Sequence, residues 1–152
     1  IVSRDWSSDV CSSDLPTRGV RWIAPRRDID WVWDHVSARW LRFHRGVPLV
    51  DADGFQLAAD NVLILYVDYR TSDADLLSPQ VISTGSGDGW LLRDGTVTGV
   101  TWSRPFLADG WALADDDTGS PVYLHPGRTW VALARLGEGV ILDPSQVAEL
   151  TG

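Results

Sequence analysis

Two apolar runs that flank Asp94-Gly95 form the strongest hydrophobic pattern in the chain. An Asp-Gly pair between strand-forming residues favours a type I′ hairpin turn, because that turn requires positive φ at both central positions. Pairing Arg93 with Thr96 then places Trp90 opposite Gly99. The pattern predicts a β-bulge at Gly99, because a bulge there puts all the large apolar residues on one buried face. These residues are Trp90, Leu92, Val97, Val100 and Trp102.

Strict alternation of side chains predicts a second hairpin earlier in the chain. In residues 28–34 the odd-numbered positions carry Ile or Trp, whereas the even-numbered positions, which include Asp30, carry Asp or Val. Residues 39–45 alternate in the same way, with Trp40, Arg42 and His44 on one face. A period of two is typical of half-buried strands. We therefore expect an antiparallel pair of strands with a turn at 35–38.

In the most apolar run, residues 61–69, positions 62–67 are apolar on both faces and predict a central strand that is covered on both sides. Residues 128–134 predict a late strand, and residues 140–142 predict an edge strand. Asp143 as N-cap, with Pro144 and Gln146 behind it, predicts a short final helix. The fold class that follows is mainly β (β-rich α+β), an antiparallel sheet or sandwich built on hairpins, with one short C-terminal helix.

The first residues differ in character from the rest of the chain. Residues 1–15, IVSRDWSSDVCSSDL, resemble translated sequencing-adapter sequence and show no sustained periodicity. We expect them to be non-native and disordered, and we expect residues 16–27 to be poorly ordered or to form an edge strand. Residues 28–142 form the predicted β-rich domain, and residues 143–152 form a short helix and tail.

Composition narrows the classes of function. The chain has 152 residues, which suits one domain, and a net charge of −8 that argues against nucleic-acid binding. Its nine tryptophans favour an aromatic core, with a ligand platform as the alternative. No run is long and apolar enough for a membrane span or a signal peptide, so we expect no targeting signal in this fragment.

No motif in the sequence assigns a reaction, a cofactor or a metal. Residues 51–54, Asp-Ala-Asp-Gly, share part of a calcium-loop pattern, but the first ligand position is missing and an Asx turn is the simpler interpretation. Residues 85–89 are glycine-rich, but a predicted strand follows them where a phosphate loop needs a helix. The three histidines lack metal-ligand spacing. We therefore predict no catalytic residue, no metal and no cofactor.

One group of residues is a candidate binding site. Arg42 and His44 share a strand face, and the loop that carries Asp51 and Asp53 follows soon after. An Arg–Asp contact there would be charge-assisted. It would either hold the loop in place or bind a ligand, and the sequence leaves both possibilities open.

Several pieces of the chain occur in the order and spacing of a known family, namely WVWDHVSARWLRFHRGVPLVDADG, NVLILYV, GSGDGWLLRDGTVTGVTWSRP and LHPGRTWVAL. Through them, Trp31 to about Leu136 resembles the C-terminal region of the YerB-type bacterial lipoprotein family, a domain of unknown function. The resemblance implies a β-rich α/β fold and an extracytoplasmic location in the cell envelope. It also implies that an N-terminal half, with a lipobox and a first domain, precedes this region, and it supplies no catalytic residue.

Three hypotheses for the function follow. The first is a non-catalytic envelope module that binds a protein partner or a cell-wall polymer. The second is a fragment of a cell-wall-acting enzyme with a site near Arg42, His44, Asp51 and Asp53. We favour a protein without enzymatic activity over an enzyme. The third is a structural half-domain that packs on the missing N-terminal domain.

Overall fold

The computed structural model describes residues 19–24, 27–75 and 77–152, so the predicted foreign segment at 1–15 lies outside the described residues. The described residues form two packed sheets, a two-stranded ribbon and a helix. The strands are β1 (Gly19–Ala24), β2 (Arg27–Asp34), β3 (Arg39–His44), β4 (Val47–Pro48), β5 (Ala58–Ala59), β6 (Asn61–Tyr66), β7 (Asp68–Thr71), β8 (Pro79–Ile82), β9 (Gly85–Arg93), β10 (Thr96–Arg104), β11 (Ala112–Asp115), β12 (Thr129–Ala134) and β13 (Gly139–Ile141), and the helix is α1 (Pro144–Thr151).

The first sheet, sheet I, has the strand order β13-β1-β2-β3-β4, with β5 also paired to β3. Strands β2 and β3 form the predicted antiparallel hairpin, with Trp31 opposite Arg42. Strand β13 pairs with β1 at the edge, as residues 140–142 predicted. Because β1 pairs with both β13 and β2, Gly19–Ala24 is an inner strand and not the edge strand that the sequence suggested.

The second sheet, sheet II, has the order β11-β10-β9-β6-β12. Its central strand β6 is buried along its whole length, which confirms the covered central strand. The strand ends at Tyr66, and Asp68–Thr71 turns away as β7 to pair with β8. Strand β12 pairs with β6 in parallel, whereas the other neighbours in the sheet are antiparallel.

The Asp94-Gly95 turn joins β9 and β10 as predicted, with φ of 52° and 74° at its two residues. The predicted bulge at Gly99 is wrong. The register runs without interruption from Thr96 opposite Arg93 to Arg104 opposite Gly85. Val100 and Trp102 are therefore buried on the other face of sheet II from Trp90. The predicted bulge requires that only one face of the sheet is buried, whereas both faces of sheet II are covered.

The glycine-rich residues 85–89 belong to β9 itself. A side chain at Gly87 would place its Cβ 2.9 Å from the indole Nε1 of Trp102. At Gly89 the Cβ would lie 2.6 Å from the carbonyl oxygen of Ile64 on β6. These glycines therefore permit close approach of neighbouring groups, as glycine in a strand interior often does.

Apolar residues lie in three layers. Sheets I and II bury the largest cluster between them, including Trp31, Trp40, Ile64 and Trp90. The far face of sheet II packs under residues of the β7–β8 ribbon and of nearby loops. The outer face of sheet I packs against α1 through Val147. Helix α1 starts as predicted, because the Asp143 side chain accepts from the amides of Ser145 and Gln146 in a capping box.

The outer face of sheet I also holds Asp30, which is fully buried. Its Oδ1 accepts from Arg21 Nε at 2.5 Å, and its Oδ2 has no hydrogen-bond partner. Alternation alone placed Asp30 on the polar side of β2. Leu142, which follows β13, and Val147 of α1 pack on that side and make it a second buried face.

Candidate functional site

Arg42 lies on the inner face of sheet I, at the side where β12 borders sheet II. Because Arg42 is opposite Trp31 in the β2–β3 register, both side chains point towards the space between the sheets. The guanidinium carbon lies 4.1 Å from the ring centroid of Trp130 and 5.8 Å from that of Trp31. The two indole rings are 5.7 Å apart and tilted by 57°. Two tryptophans from different sheets therefore hold the cation by cation–π contact.

The charge of Arg42 is not balanced by an acidic side chain. Within the described ranges Arg42 forms no ion pair, and its Nε is buried with no hydrogen-bond partner. Burial lowers the pKa of the guanidinium. Arg42 is only partly buried, so part of its charge loses contact with water without a counter-charge, and aromatic contact offsets only part of the cost in free energy. A guanidinium in this position is able to donate hydrogen bonds to a carboxylate or a phosphate.

The backbone of Arg42 is held by the segment that follows β4. Its amide donates to the carbonyl of Leu57 at 2.9 Å. Its carbonyl accepts from the amide of Leu49 at 3.0 Å and from the side-chain amide of Gln56 at 3.1 Å. These hydrogen bonds fix the backbone from which the Arg42 side chain extends. We call the segment 49–57 the arm. The arm also exposes two apolar side chains, Val50 and Phe55.

The other three predicted site residues lie apart from this arrangement. His44 is exposed at the end of β3, opposite Val47. Asp51 closes an Asx turn, because its Oδ1 accepts from the amides of Asp53 and Phe55 at 3.0 and 2.9 Å. Asp53 is exposed. In the described part of the chain no hydrogen bond or ion pair joins Arg42 to Asp51 or Asp53, so the Arg–Asp contact expected there is not formed.

Asp51 therefore has a structural role in the turn that the Asp-Ala-Asp-Gly sequence predicted. Among the residues that the structure describes, no three His, Cys, Asp or Glu side chains are grouped so that they could hold a metal ion. The described helix is also too short and too polar to cross a membrane.

Sequence reasoning identified Arg42 but missed the indoles that surround it. A charged residue on the same strand face as Trp40 was the available signal. Trp130 is distant in sequence, and only the parallel pairing of β12 with β6 brings it to Arg42. No local pattern encodes that proximity.

The described residues form a mainly β domain of two packed sheets with a short C-terminal helix, and a fold of this class does not by itself reveal an activity. The profile of the family described as "Protein of unknown function (DUF3048) C-terminal domain" matches residues 19–131. The chain belongs to this family. The result confirms the YerB-type resemblance.

One solved structure agrees in fold. The YerB protein from Bacillus subtilis superposes with a TM-score of 0.73 at 19% sequence identity. The match covers 88% of this chain and 46% of that chain, so the chain spans about half the length of this relative. A comparison with curated proteins found no match.

Proposed function

We propose that the domain is a non-catalytic binding module of the bacterial cell envelope. It engages a protein partner or a cell-wall polymer through an anionic group of that partner, which Arg42 binds. The observation that carries the proposal is the unpaired guanidinium between Trp31 and Trp130. The envelope location rests on the resemblance to YerB-type lipoproteins.

The surroundings of Arg42 support an extended partner. The arm, which is hydrogen-bonded to the Arg42 backbone, presents Val50 and Phe55 to solvent. Exposed aromatic and aliphatic groups can add contact area to an interface whose position a charged contact sets. A carboxylate or phosphate on the partner would accept the hydrogen bonds that the guanidinium does not make within the domain.

A structural role is the second candidate function. The solved YerB chain extends well beyond the region that matches, because the match covers 46% of it. The partner of the Arg42 surface is then another part of the same longer polypeptide. The enzyme alternative has no comparable support, because Arg42, His44, Asp51 and Asp53 make no mutual side-chain contact within the described ranges.

The test replaces Arg42 by leucine, which keeps apolar volume between the indoles and removes the charge. We expect the wild-type chain to sediment with purified cell-wall polymer or to retain a partner from an envelope extract, and Arg42→Leu to lose that binding. Arg70→Leu is the matched control, because Arg70 is exposed on β7 and changes the net charge equally. We expect Arg70→Leu to bind like the wild type.

The unfolding free energy of Arg42→Leu distinguishes a binding role of Arg42 from a purely structural role. We expect the unfolding free energy of Arg42→Leu to lie within about 1 kcal/mol of the wild type, because the lost cation–π contact is offset by removal of an unpaired buried charge. Equal binding by the wild type and by Arg42→Leu would refute the proposed site. Absence of wild-type binding to either material would refute the envelope-binding function and leave the second candidate.

A further inference from the structure

The outer edge of sheet II at β12 has no neighbouring strand among the residues that the structure describes. The carbonyl of Ala134 accepts a hydrogen bond from the amide of Val67, just after β6. In a parallel pair alternate residues bond to a given neighbour, so the even-numbered residues of β12 bond to β6. The amides and carbonyls of Thr129, Val131 and Leu133 therefore point outward, away from β6.

The other described sheet edges are covered or short. The opposite edge strand of sheet II, β11, is bridged by Pro121, and the amide of Val122 donates to the carbonyl of Leu113 at 2.9 Å. The outer strands of sheet I, β4, β5 and β13, have only two or three residues. Strand β12 has six residues, and none of them is charged or proline. Charges, prolines and short length protect an edge from pairing, so β12 is the edge best suited to accept another strand.

The charge along this edge is positive, although the net charge of the chain is −8. Arg128 precedes β12, Arg135 follows it, and Arg42 contacts the indole of its second residue. None of the three guanidinium groups forms an ion pair with a described residue. Asp60 and Glu138 lie near the two ends, where each accepts a hydrogen bond from the backbone amide of the adjacent arginine. The part of the edge next to Arg42 is therefore complementary to a carboxylate.

We propose that β12 accepts an extended strand of a protein partner along its outer edge, and that Arg42 binds a carboxylate side chain of this strand. The inference rests on the proposed function and commits it to a protein partner with an acidic segment. Backbone hydrogen bonds to Thr129 and Val131 supply affinity, and alternate side chains of the added strand lie on the side of Arg42. The hydroxyl of Tyr69 donates to the carbonyl of Leu133 at 2.7 Å, so the added strand ends before that residue.

A second copy of this chain is a poorer occupant of the edge. Antiparallel pairing of two β12 strands about their centres brings Arg128 of one copy close to Arg135 of the other. Like charges on neighbouring strands oppose such pairing. An acidic strand adds the opposite charge at the same positions.

The test is an NMR titration of the full isotope-labelled chain with acetylated heptapeptide amides in which valine and threonine alternate. One glutamate is placed at each position in turn, so that the series presents the carboxylate to Arg42 in every register. We expect saturable shifts at the amides of Thr129 and Val131 and at the indole of Trp130, with slower hydrogen exchange of the two amides. Peptides with glutamine in place of glutamate should bind about tenfold more weakly, as expected for loss of a charge-assisted hydrogen bond.

Val131→Pro tests the backbone pairing. Proline at this position removes an amide that points outward and leaves the hydrogen bonds to β6 in place, and an edge strand tolerates proline in that orientation. We expect the variant to fold and to lose saturable binding of every peptide. The same peptides with methylated amide nitrogens should not bind the wild type, and this second measurement does not depend on the folding of a variant.

Leu136→Pro is the matched control for the proline substitution. Leu136 is exposed and is the second residue of a turn in which the amide of Glu138 donates to the carbonyl of Arg135. Gly137, the third residue of this turn, has φ of 85°. Proline is favoured at the second position of such a type II turn. The control should bind the glutamate peptides with the affinity of the wild type.

Arg42→Leu separates the strand pairing from the anionic site. It should bind the glutamate peptides only as tightly as the wild type binds the glutamine peptides. Equal binding by the wild type and by Val131→Pro would overturn the strand pairing, and so would absence of binding by every peptide. The proposed function is then judged independently by the sedimentation and extract assays of Arg42→Leu. Self-association of the chain that Val131→Pro abolishes would identify a second copy as the occupant and overturn the acidic partner.

Discussion

Asp30 and Arg42 are two charged side chains that the packing of the sheets buries fully or in part, and they differ in whether an ion pair balances the charge. Asp30 is fully buried but paired with Arg21, whereas Arg42 is partly buried and has no ion-pair partner in the described part of the chain. A buried pair is costly mainly when one partner is removed, because the other charge is then left unsatisfied. The ion pair with Arg21 therefore gives Asp30 a structural role, whereas for Arg42 we propose a role in ligand binding.

Removal of the Asp30 carboxylate should destabilise the domain. We expect Asp30→Ala to lower the unfolding free energy by about 2–4 kcal/mol, because Arg21 loses its partner beside an apolar layer. Denaturant unfolding measures this change. The control is Arg39→Ala, which removes a longer and more exposed ion pair with Asp60, at 3.3 Å, and leaves the hydrogen bond from the Arg128 amide to Asp60 in place.

The double variant Arg21→Met/Asp30→Leu should recover much of the loss, since it removes both charges and keeps apolar volume. A loss for Asp30→Ala no larger than that for Arg39→Ala would show that the buried pair adds little to stability.

At the level of elements, β6 and β9 approach each other so closely at Gly89 that no side chain fits there. The register places Gly89 opposite Leu65, and a Cβ at Gly89 would meet the backbone oxygen of Ile64. A backbone atom in a central strand has little freedom to move. The glycine is therefore a packing requirement of the sheet and does not form a phosphate loop.

Replacement of Gly89 by alanine tests this close approach. We expect a loss of about 2–4 kcal/mol in unfolding free energy, because the β6–β9 ladder must separate to admit the methyl group. Gly110→Ala is the control, since no atom lies within 4 Å of a Cβ there and its φ is not positive. The control should change stability by about 0.5 kcal/mol or less. Similar values for both variants would contradict the tight contact.

Over the whole molecule, several of the aspartates act as turn caps. Asp34, Asp75, Asp115 and Asp143 each accept hydrogen bonds from amides or hydroxyls a few residues later in the chain. These bonds lower the pKa of all four carboxyls from the ordinary value of 3.8. The acidic composition is thus partly a consequence of a fold made of short strands and many turns.

Stability should therefore fall in acid. A carboxyl whose pKa is lower in the folded state than in the unfolded state stabilises the fold above its unfolded value of 3.8, and this stabilisation is lost as pH falls through the folded pKa. Asp116 acts in the opposite direction, because burial raises its pKa. Urea unfolding between pH 7 and pH 2 should show a decline that begins near pH 4.

A variant with asparagine at Asp34, Asp75, Asp115 and Asp143 keeps an oxygen acceptor at each turn but does not titrate. Its stability should decline less steeply below pH 4 than that of the wild type. An unchanged slope would show that other groups control the acid transition.

The sequence by itself determined the features that depend on neighbouring residues. The Asp94-Gly95 turn, the alternation in β2 and β3, the buried run of β6 and the capping box of α1 all depend on local backbone and side-chain preferences. These preferences act over a few residues, so they can be read without knowledge of the fold. The sequence likewise placed Arg42 on the same strand face as Trp40, and the β2–β3 register agrees with that placement.

Only the tertiary structure decided which faces were covered. The bulge at Gly99 was a wrong prediction, and Asp30 was assigned to the polar side, because alternation does not reveal whether a second layer packs on the opposite face of a sheet. The contact between Trp130 and Arg42 depends on strand order. Strand order is set by the total apolar area that the layers bury together, and no single segment encodes that quantity.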